Sequence, residues 1–205
     1  MEKLRLAVLA SGRGSNLQAI MNACQEGRIN AEVVVVLSDK ENALALERAK
    51  REGIPALWVN PASFSSQEAY EKKLVQVIND FTVDYLLLAG FMRILSPVFI
   101  RGVAIPILNI HPSLLPAFSG LNAQRQALEY GVRYSGCTVH FVDAGVDTGP
   151  IILQAVVPVY PDDSEESLAA RILREEHRLY PRAVQLLVEG KIYCKGRQVL
   201  FSEED

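Results

Sequence analysis

The sequence predicts an α/β protein built on a mostly parallel, twisted sheet with helices on both faces. Three observations carry that expectation. Short apolar runs recur at residues 4–10, 31–37, 85–89 and 107–111. They lack the apolar–polar alternation of a sheet with one wet face, so they read as strands buried on both sides. Between them the apolar positions fall at helical spacing, which makes strand–helix–strand units and therefore parallel pairing. The chain has 205 residues, enough for one such domain with a sizeable core and too few for two domains and a linker.

Taken in order, the first run ends in the glycine turn Ser11-Gly12-Arg13-Gly14, and helical periodicity follows from Ser15 to about Gln25. After the second run, Asn42 is placed to cap a helix that Gly53 ends. Ser65 and Glu68 read as a capping box. Tyr70, Leu74, Val77, Ile78 and Phe81 form the apolar stripe of the helix behind it. Beyond the strand at Ile107–His111, residues 138–142 and 150–159 read as further strands that can run antiparallel to the rest. A long helical stretch covers residues 164–188, where Pro181 is expected to kink or split it. Residues 192–201 read as a small hairpin turning at Lys195-Gly196. No repeat, low-complexity segment or linker interrupts the chain, so residues 1–205 read as a single domain.

Composition narrows the function classes. Apolar residues make up 49% and charged residues 22%, as in ordinary globular proteins. A net charge of -3 argues against a nucleic-acid partner held by bulk electrostatics. Cys24, Cys137 and Cys194 have no metal or redox spacing, and so odd and sparse a set fits reduced thiols in a cytosol. No apolar run approaches the roughly 18 residues of a membrane helix. The opening apolar stretch is too short for a signal peptide and runs into glycine and arginine. A cytoplasmic protein with small-molecule substrates, and with neither a nucleic-acid nor a membrane partner, is the expectation.

Three constellations carry chemistry. Ser11-Gly12-Arg13-Gly14-Ser15-Asn16 lies between a strand and a helix, where free N–H groups bind anions and glycine lets a phosphate approach the backbone. Leu17 replaces the third glycine of a dinucleotide fingerprint, and no Walker lysine is present. The loop reads either as a monophosphate cradle or as a plain tight turn. In Leu108-Asn109-Ile110-His111-Pro112, strand alternation points Asn109 and His111 to one face, at the carboxyl end where open α/β sheets bind ligands. Asp147, in Asp147-Thr148-Gly149-Pro150, supplies a carboxylate. Asparagine can donate to an oxyanion, and a carboxylate beside a histidine orients it and favours imidazolium. The bland alternative is a capping Asn, a packed His and a turn Asp. No nucleophile elbow is present, and His111, His140 and His177 lack zinc spacing, so no metal is expected. In the last helix, Glu176 falls on the apolar face of Leu168, Ile172, Leu179 and Ala183. There it is either a ribose acceptor or a paired structural carboxylate.

The segments SGRGSNLQAI, AGFMRILSP, LNIHPSLLPAFSG, GCTVHFV and DTGPII occur in order and at familiar separations. Together they make the chain resemble the glycinamide ribonucleotide formyltransferases, folate-dependent enzymes of purine biosynthesis, from Leu4 to about Gly190. The resemblance implies a Rossmann-like formyltransferase fold, with phosphate and ribonucleotide binding in the N-terminal half and folate binding and catalysis in the C-terminal half. It implies transfer of a formyl group from 10-formyltetrahydrofolate, as co-substrate, to the amine of 5'-phosphoribosylglycinamide. Asn109, His111 and Asp147 would be catalytic. Gly12, Arg13, Gly14, Ser15, Asn16, Pro112 and Glu176 would bind the ribonucleotide. Met92, Arg93, Ile94, Leu95, Val142 and Val146, with Asn109 and Asp147, would line the folate pocket, and His140 would support the aspartate loop. Arg13, Ser119 and Leu173 depart from the family's usual residues, which bears on phosphate grip rather than on reaction class. Formyl-folate hydrolysis, formylation of an initiator tRNA and a non-catalytic nucleotide-binding module are the rivals. The two enzymatic rivals usually carry an additional domain. A monomer or a homodimer fits equally.

Overall fold

The computed structural model describes residues 2–202. Seven strands, β1 (Leu4–Leu9), β2 (Ala31–Ser38), β3 (Ala56–Trp58), β4 (Tyr85–Leu88), β5 (Ile107–His111), β6 (Tyr134–Phe141) and β7 (Ile151–Pro158), form one sheet in the order β3-β2-β1-β4-β5-β6-β7. β1 pairs in parallel with both β2 and β4, β2 pairs in parallel with β3, and β6 pairs with β7 antiparallel. The mostly parallel α/β expectation is therefore met. The chain comprises two compact units, Met1–Leu108 and Asn109–Asp205.

In the first unit, helices α1 (Ser15–Gln25), α2 (Leu44–Arg51), α3 (Gln67–Asn79) and α4 (Pro97–Val103) alternate with the strands. The chain steps from β1 to β2 to β3 in one direction and returns to β4 on the other side of β1. Right-handed crossovers then place α1 and α2 on one face and α3 on the other. The reversal puts the switch point between β1 and β4, where α/β sheets bind ligands. Leu6, Ala7, Val8, Leu9, Leu86 and Leu87 are fully buried, as doubly covered parallel strands require.

Two caps differ from expectation. α2 starts at Leu44 behind Ala43, and the side chain of Asn42 does not cap it. The Ala45 N–H is instead taken by the carbonyl of Gly12, at 3.1 Å, so a loop distant in sequence supplies the acceptor. α3 is capped by Ser66, whose Oγ accepts from the Ala69 N–H at 3.1 Å. The Ser65–Glu68 box is thus displaced by one residue, and Glu68 pairs with Lys72 at 2.7 Å. Four features went unread in the sequence: β3, α4, α5 (Ala123–Tyr130) and a 3-10 turn at Pro61–Ser63.

In the second unit, β7 is exposed at Gln154 and Val156, and β6 is buried almost throughout. Helix α6 (Glu165–Val188) begins in a capping box of Ser164 and Ser167 and packs Leu168 and Ile172 against Cys137 and Val157. Pro181 does not split it; the helix continues to Val188. Pro181 removes one backbone hydrogen bond, but Tyr180, Ala183 and Val184 around it are fully buried, and that packing outweighs the lost bond. Strands β8 (Ile192–Lys195) and β9 (Gln198–Phe201) form the expected hairpin. Lys195 pairs with Gln198, so the turn residues are Gly196 and Arg197. Cys24, Cys137 and Cys194 are free thiols. Burial pushes the first two up to about 11 and about 12.

Candidate active site

The loop after β1 is built by its neighbours. Gly14 is the N-cap of α1, in the left-handed region at φ 66, and no side chain caps the helix. A β-carbon there would lie 2.7 Å from the Cα of Ala45, so glycine is required both by backbone conformation and by the close approach of α2. The loop's carbonyls turn toward α2: Gly12 O meets the Ala45 N–H, and Arg13 O accepts from Arg48 Nε at 2.9 Å. Beside this loop is a cavity of about 410 Å³ lined in part by Ser11, Gly12, Arg13, Lys40 and Asn42. Asn16 is buried, and Arg13 is exposed.

The segment after β4 has no regular structure from residue 89 to 96. Its start is tied to the first loop: the Ser11 N–H donates to Gly90 O at 3.0 Å, and the Met92 N–H donates to Ser11 Oγ at 2.9 Å. Met92 and Ile94 are 64% and 66% exposed, whereas Leu95 is buried. Of the four residues expected to line a folate pocket here, Leu95 packs inward and the others face outward.

The second unit brings Asn109, His111, His140 and Asp147 together around one carboxylate. Asp147 Oδ1 accepts from Asn109 Nδ2 at 3.3 Å, and Oδ2 accepts from the Gly120 N–H at 2.8 Å. His111 Nδ1 lies 3.3 Å from Oδ2, and its Nε2 is 2.8 Å from Phe118 O. The two ring nitrogens thus face a carboxylate oxygen on one side and a backbone carbonyl on the other. His140 Nδ1 lies 2.8 Å from Phe141 O, and its Nε2 lies 3.2 Å from Asn109 Nδ2 and 3.7 Å from Asp147 Oδ1. The ring is thus fixed against both the asparagine amide and the carboxylate. The β6 ladder shifts register between Val139 and His140, an irregularity of the kind that re-aims a side chain beside a site. Burial alone would raise the pKa of Asp147. The approach of His140, the Gly120 N–H and the field of His111 outweigh it and hold the carboxyl below its ordinary value. Asp147 itself sits at φ 54, a left-handed conformation that aspartate tolerates better than most residues.

Several contributors are backbone groups, namely Gly120 N–H, Phe118 O and Phe141 O, which leave no residue-type signal in a sequence. Pro112 is half-buried beside His111, Val142 precedes the Asp143–Thr148 turn, and Val146 lies within it at 45% exposure. Glu176 faces inward on α6 and is 7% exposed, as its place on the apolar stripe predicted. Among the described residues no group of three or more His, Cys, Asp or Glu could hold a metal ion, and no helix is long and apolar enough to cross a membrane.

A strand-end asparagine and histidine set against a largely buried aspartate are the residue types that acid–base group transfer and hydrolysis use. The formyl transferase family model matches residues 4–184. The phosphoribosylglycinamide formyltransferase of Escherichia coli (strain K12) is 46% identical over 189 residues, 92% of this chain and 89% of that protein. The trifunctional purine biosynthetic protein adenosine-3 of Drosophila melanogaster is 52% identical over 188 residues, 91% of this chain but only 14% of that protein's length. The crystal structure of glycinamide ribonucleotide transformylase 1 from Symbiobacterium toebii superposes with a TM-score of 0.96 at 52% identity, covering 98% of this chain and 95% of the other. The chain belongs to the formyl transferase family, and the relatives it matches there include phosphoribosylglycinamide formyltransferases.

Proposed function

We propose that this protein transfers the formyl group of 10-formyltetrahydrofolate to the amine of 5'-phosphoribosylglycinamide, giving formylglycinamide ribonucleotide and tetrahydrofolate in purine biosynthesis. The observation that carries the reading is the convergence of Asn109 and His111 on the two oxygens of Asp147. The amine attacks the formyl carbon, and the carbonyl oxygen becomes an oxyanion. Collapse expels N10 of the folate, which takes up the proton that the amine loses. Asn109 and the imidazolium of His111 stabilise the oxyanion, and Asp147 holds the imidazolium and assists the proton transfer.

Both donors are engaged in this structure, and their distances rank how readily they exchange. The Asn109 bonds, at 3.2 and 3.3 Å, are at the long, weak end for N–H donors, so the oxyanion displaces them at low cost. The His111–Phe118 O contact, at 2.8 Å, is tight, and the oxyanion must replace that carbonyl before Nε2–H can serve it. Catalytic hydrogen bonds in ligand-free sites are commonly loose in this way. The phosphate is assigned to the N–H groups at the start of α1 and to Gly12, Arg13, Gly14, Ser15 and Asn16, the ribose to Glu176, and the glycinamide to Pro112. The folate is assigned to Met92, Arg93, Ile94, Leu95, Val142 and Val146, and a cytoplasmic location accompanies this reading.

A turnover assay with 10-formyltetrahydrofolate, with and without the ribonucleotide, tests the reading. Tetrahydrofolate is expected to form only when the ribonucleotide is present. Equal release without it would make the protein a formyl-folate hydrolase, and no release in either case would overturn the assignment.

A further inference from the structure

We propose that Glu71, with Gln67 and Tyr70 on the same face of α3, is a positioning residue that holds segment 92–96 in the shape needed to bind the folate co-substrate. The inference rests on the folate assignment made above for Met92, Arg93 and Ile94. It names residues on an element that contributes nothing to the chemistry.

Positions 67, 70 and 71 are spaced i, i+3 and i+4, so they share one helix face, and all three touch the segment. The carboxylate of Glu71 is 2% exposed, which is rare for a charged group without partners. Its Oε1 accepts from the Ser96 N–H at 2.9 Å and from Gln67 Nε2 at 2.9 Å, and its Oε2 accepts a short bond from Ser96 Oγ. Ser96 Oγ in turn accepts from the Phe99 N–H at 3.2 Å as the N-cap of α4. Gln67 Nε2 also donates to Ile94 O at 3.0 Å. The Arg93 guanidinium sits 5.2 Å from the centre of the Tyr70 ring, within cation–π range. The Arg93 side chain, the Ile94 carbonyl, and both the N–H and the hydroxyl of Ser96 are thus held by α3, while Ser11 holds the segment at Met92.

The segment needs such ties because it lacks a ladder of its own to satisfy its backbone groups. It also presents Met92 and Ile94 to solvent at 64% and 66% exposure. A free loop would fold two such side chains onto the nearest apolar surface. Fixing both ends keeps them presented as a preformed apolar surface, and binding then does not have to order the loop. If Glu71 served only to cap α4, its loss would lower stability and move both substrates' constants alike.

The test is steady-state kinetics of Glu71→Ala, Glu71→Gln and Gln67→Ala with each substrate varied, alongside calorimetry with tetrahydrofolate and thermal unfolding. Glu68→Gln, exposed on the same helix, is the control and is expected to match wild type. For Glu71→Ala the folate KM is expected to rise about tenfold or more while the ribonucleotide KM stays within about twofold, the signature of a lost binding geometry on one side only. Glu71→Gln keeps an acceptor for the Ser96 N–H and should recover most of the loss. Gln67→Ala removes the Ile94 tie and the bond to Glu71 but leaves both Ser96 ties, and should show a smaller shift in the same direction, which keeps the proposal open to refutation if Glu71→Ala does not fold. An unchanged folate KM in folded variants, or equal rises for both substrates, overturns it. Wild-type protein that binds tetrahydrofolate yet transfers no formyl group would sink the proposed reaction and leave the positioning role to be judged by calorimetry. Wild-type protein that binds no tetrahydrofolate sinks both.

Discussion

In the proposed reaction, the three side chains around Asp147 divide into two that meet the substrate and one that aims them. Asn109 and His111 carry the N–H groups that an oxyanion would accept, while His140 orients Asn109 from behind. Replacing Asn109 or His111 by alanine is expected to lower turnover by at least about a hundredfold, as for other removed oxyanion donors, with the circular dichroism spectrum unchanged. A folded variant with near wild-type turnover would remove that residue from the mechanism. Asp147→Asn is nearly isosteric, yet its amide end would present hydrogens to a donor, either the Gly120 N–H or the Asn109 amide. It also removes the charge that pairs with the His111 imidazolium. Its loss should therefore fall on kcat, with the ribonucleotide KM within a few-fold of wild type; a purely KM effect would contradict the assignment.

At the scale of elements, local chemistry and distant partners compete, and that competition decides what was legible in the sequence. β5 and α1 could be read closely, because a short Ile/Leu strand closed by Pro112 and a helical stripe beginning at a glycine turn are local signals. The start of α2 could not, because its acceptor is the carbonyl of Gly12, not the neighbouring Asn42. The α3 cap was misplaced between adjacent serines, and this gives a direct check. Ser66→Ala should destabilise the protein by about 1 kcal/mol, the usual worth of an N-cap, and lower Tm by roughly 2–4 °C. Ser65→Ala should change neither. The reverse result would restore the capping box at Ser65. The phosphate loop gives a second contrast. A β-carbon on Gly12 meets nothing within 4 Å, whereas one on Gly14 collides with the backbone of α2. Gly12→Ala should keep the melting temperature while weakening ribonucleotide binding in calorimetry; Gly14→Ala should lower the melting temperature itself. Equal melting temperatures for the two would contradict the packing described for Gly14. At the aspartate network the residue types Asn109, His111, His140 and Asp147 were all visible in the sequence. Their partners Gly120 N–H and Phe118 O were not, since any residue supplies a backbone amide or carbonyl.

At the scale of the whole molecule, the fold bears the cost of holding a charge in the loop between β6 and β7. Asp147 is only 12% exposed in its side chain, and burial by itself opposes its ionisation. The contacts from His140, Gly120 and His111 reverse that opposition and hold its pKa below the ordinary carboxylate value. The sign of the pH dependence follows from linkage. A group whose folded pKa is depressed contributes stability that is fully present above its unfolded pKa, near 3.9 for aspartate, and is lost as pH falls through the lower folded value. Acidification below about pH 4 should therefore protonate Asp147 at the expense of the folded state. Asp147→Asn lacks this group. It should be less stable than wild type near neutral pH, where the carboxylate accepts from Asn109 and the Gly120 N–H, and the gap should narrow as the pH falls below about 4. With 24 acidic residues in the chain, the total acid dependence belongs to many groups, so the informative quantity is the difference between the two proteins. Urea unfolding of both, at steps between about pH 3 and pH 7, measures it. Two parallel stability curves would mean that Asp147 titrates alike in the folded and unfolded chains, and the electrostatic account of the site would fall.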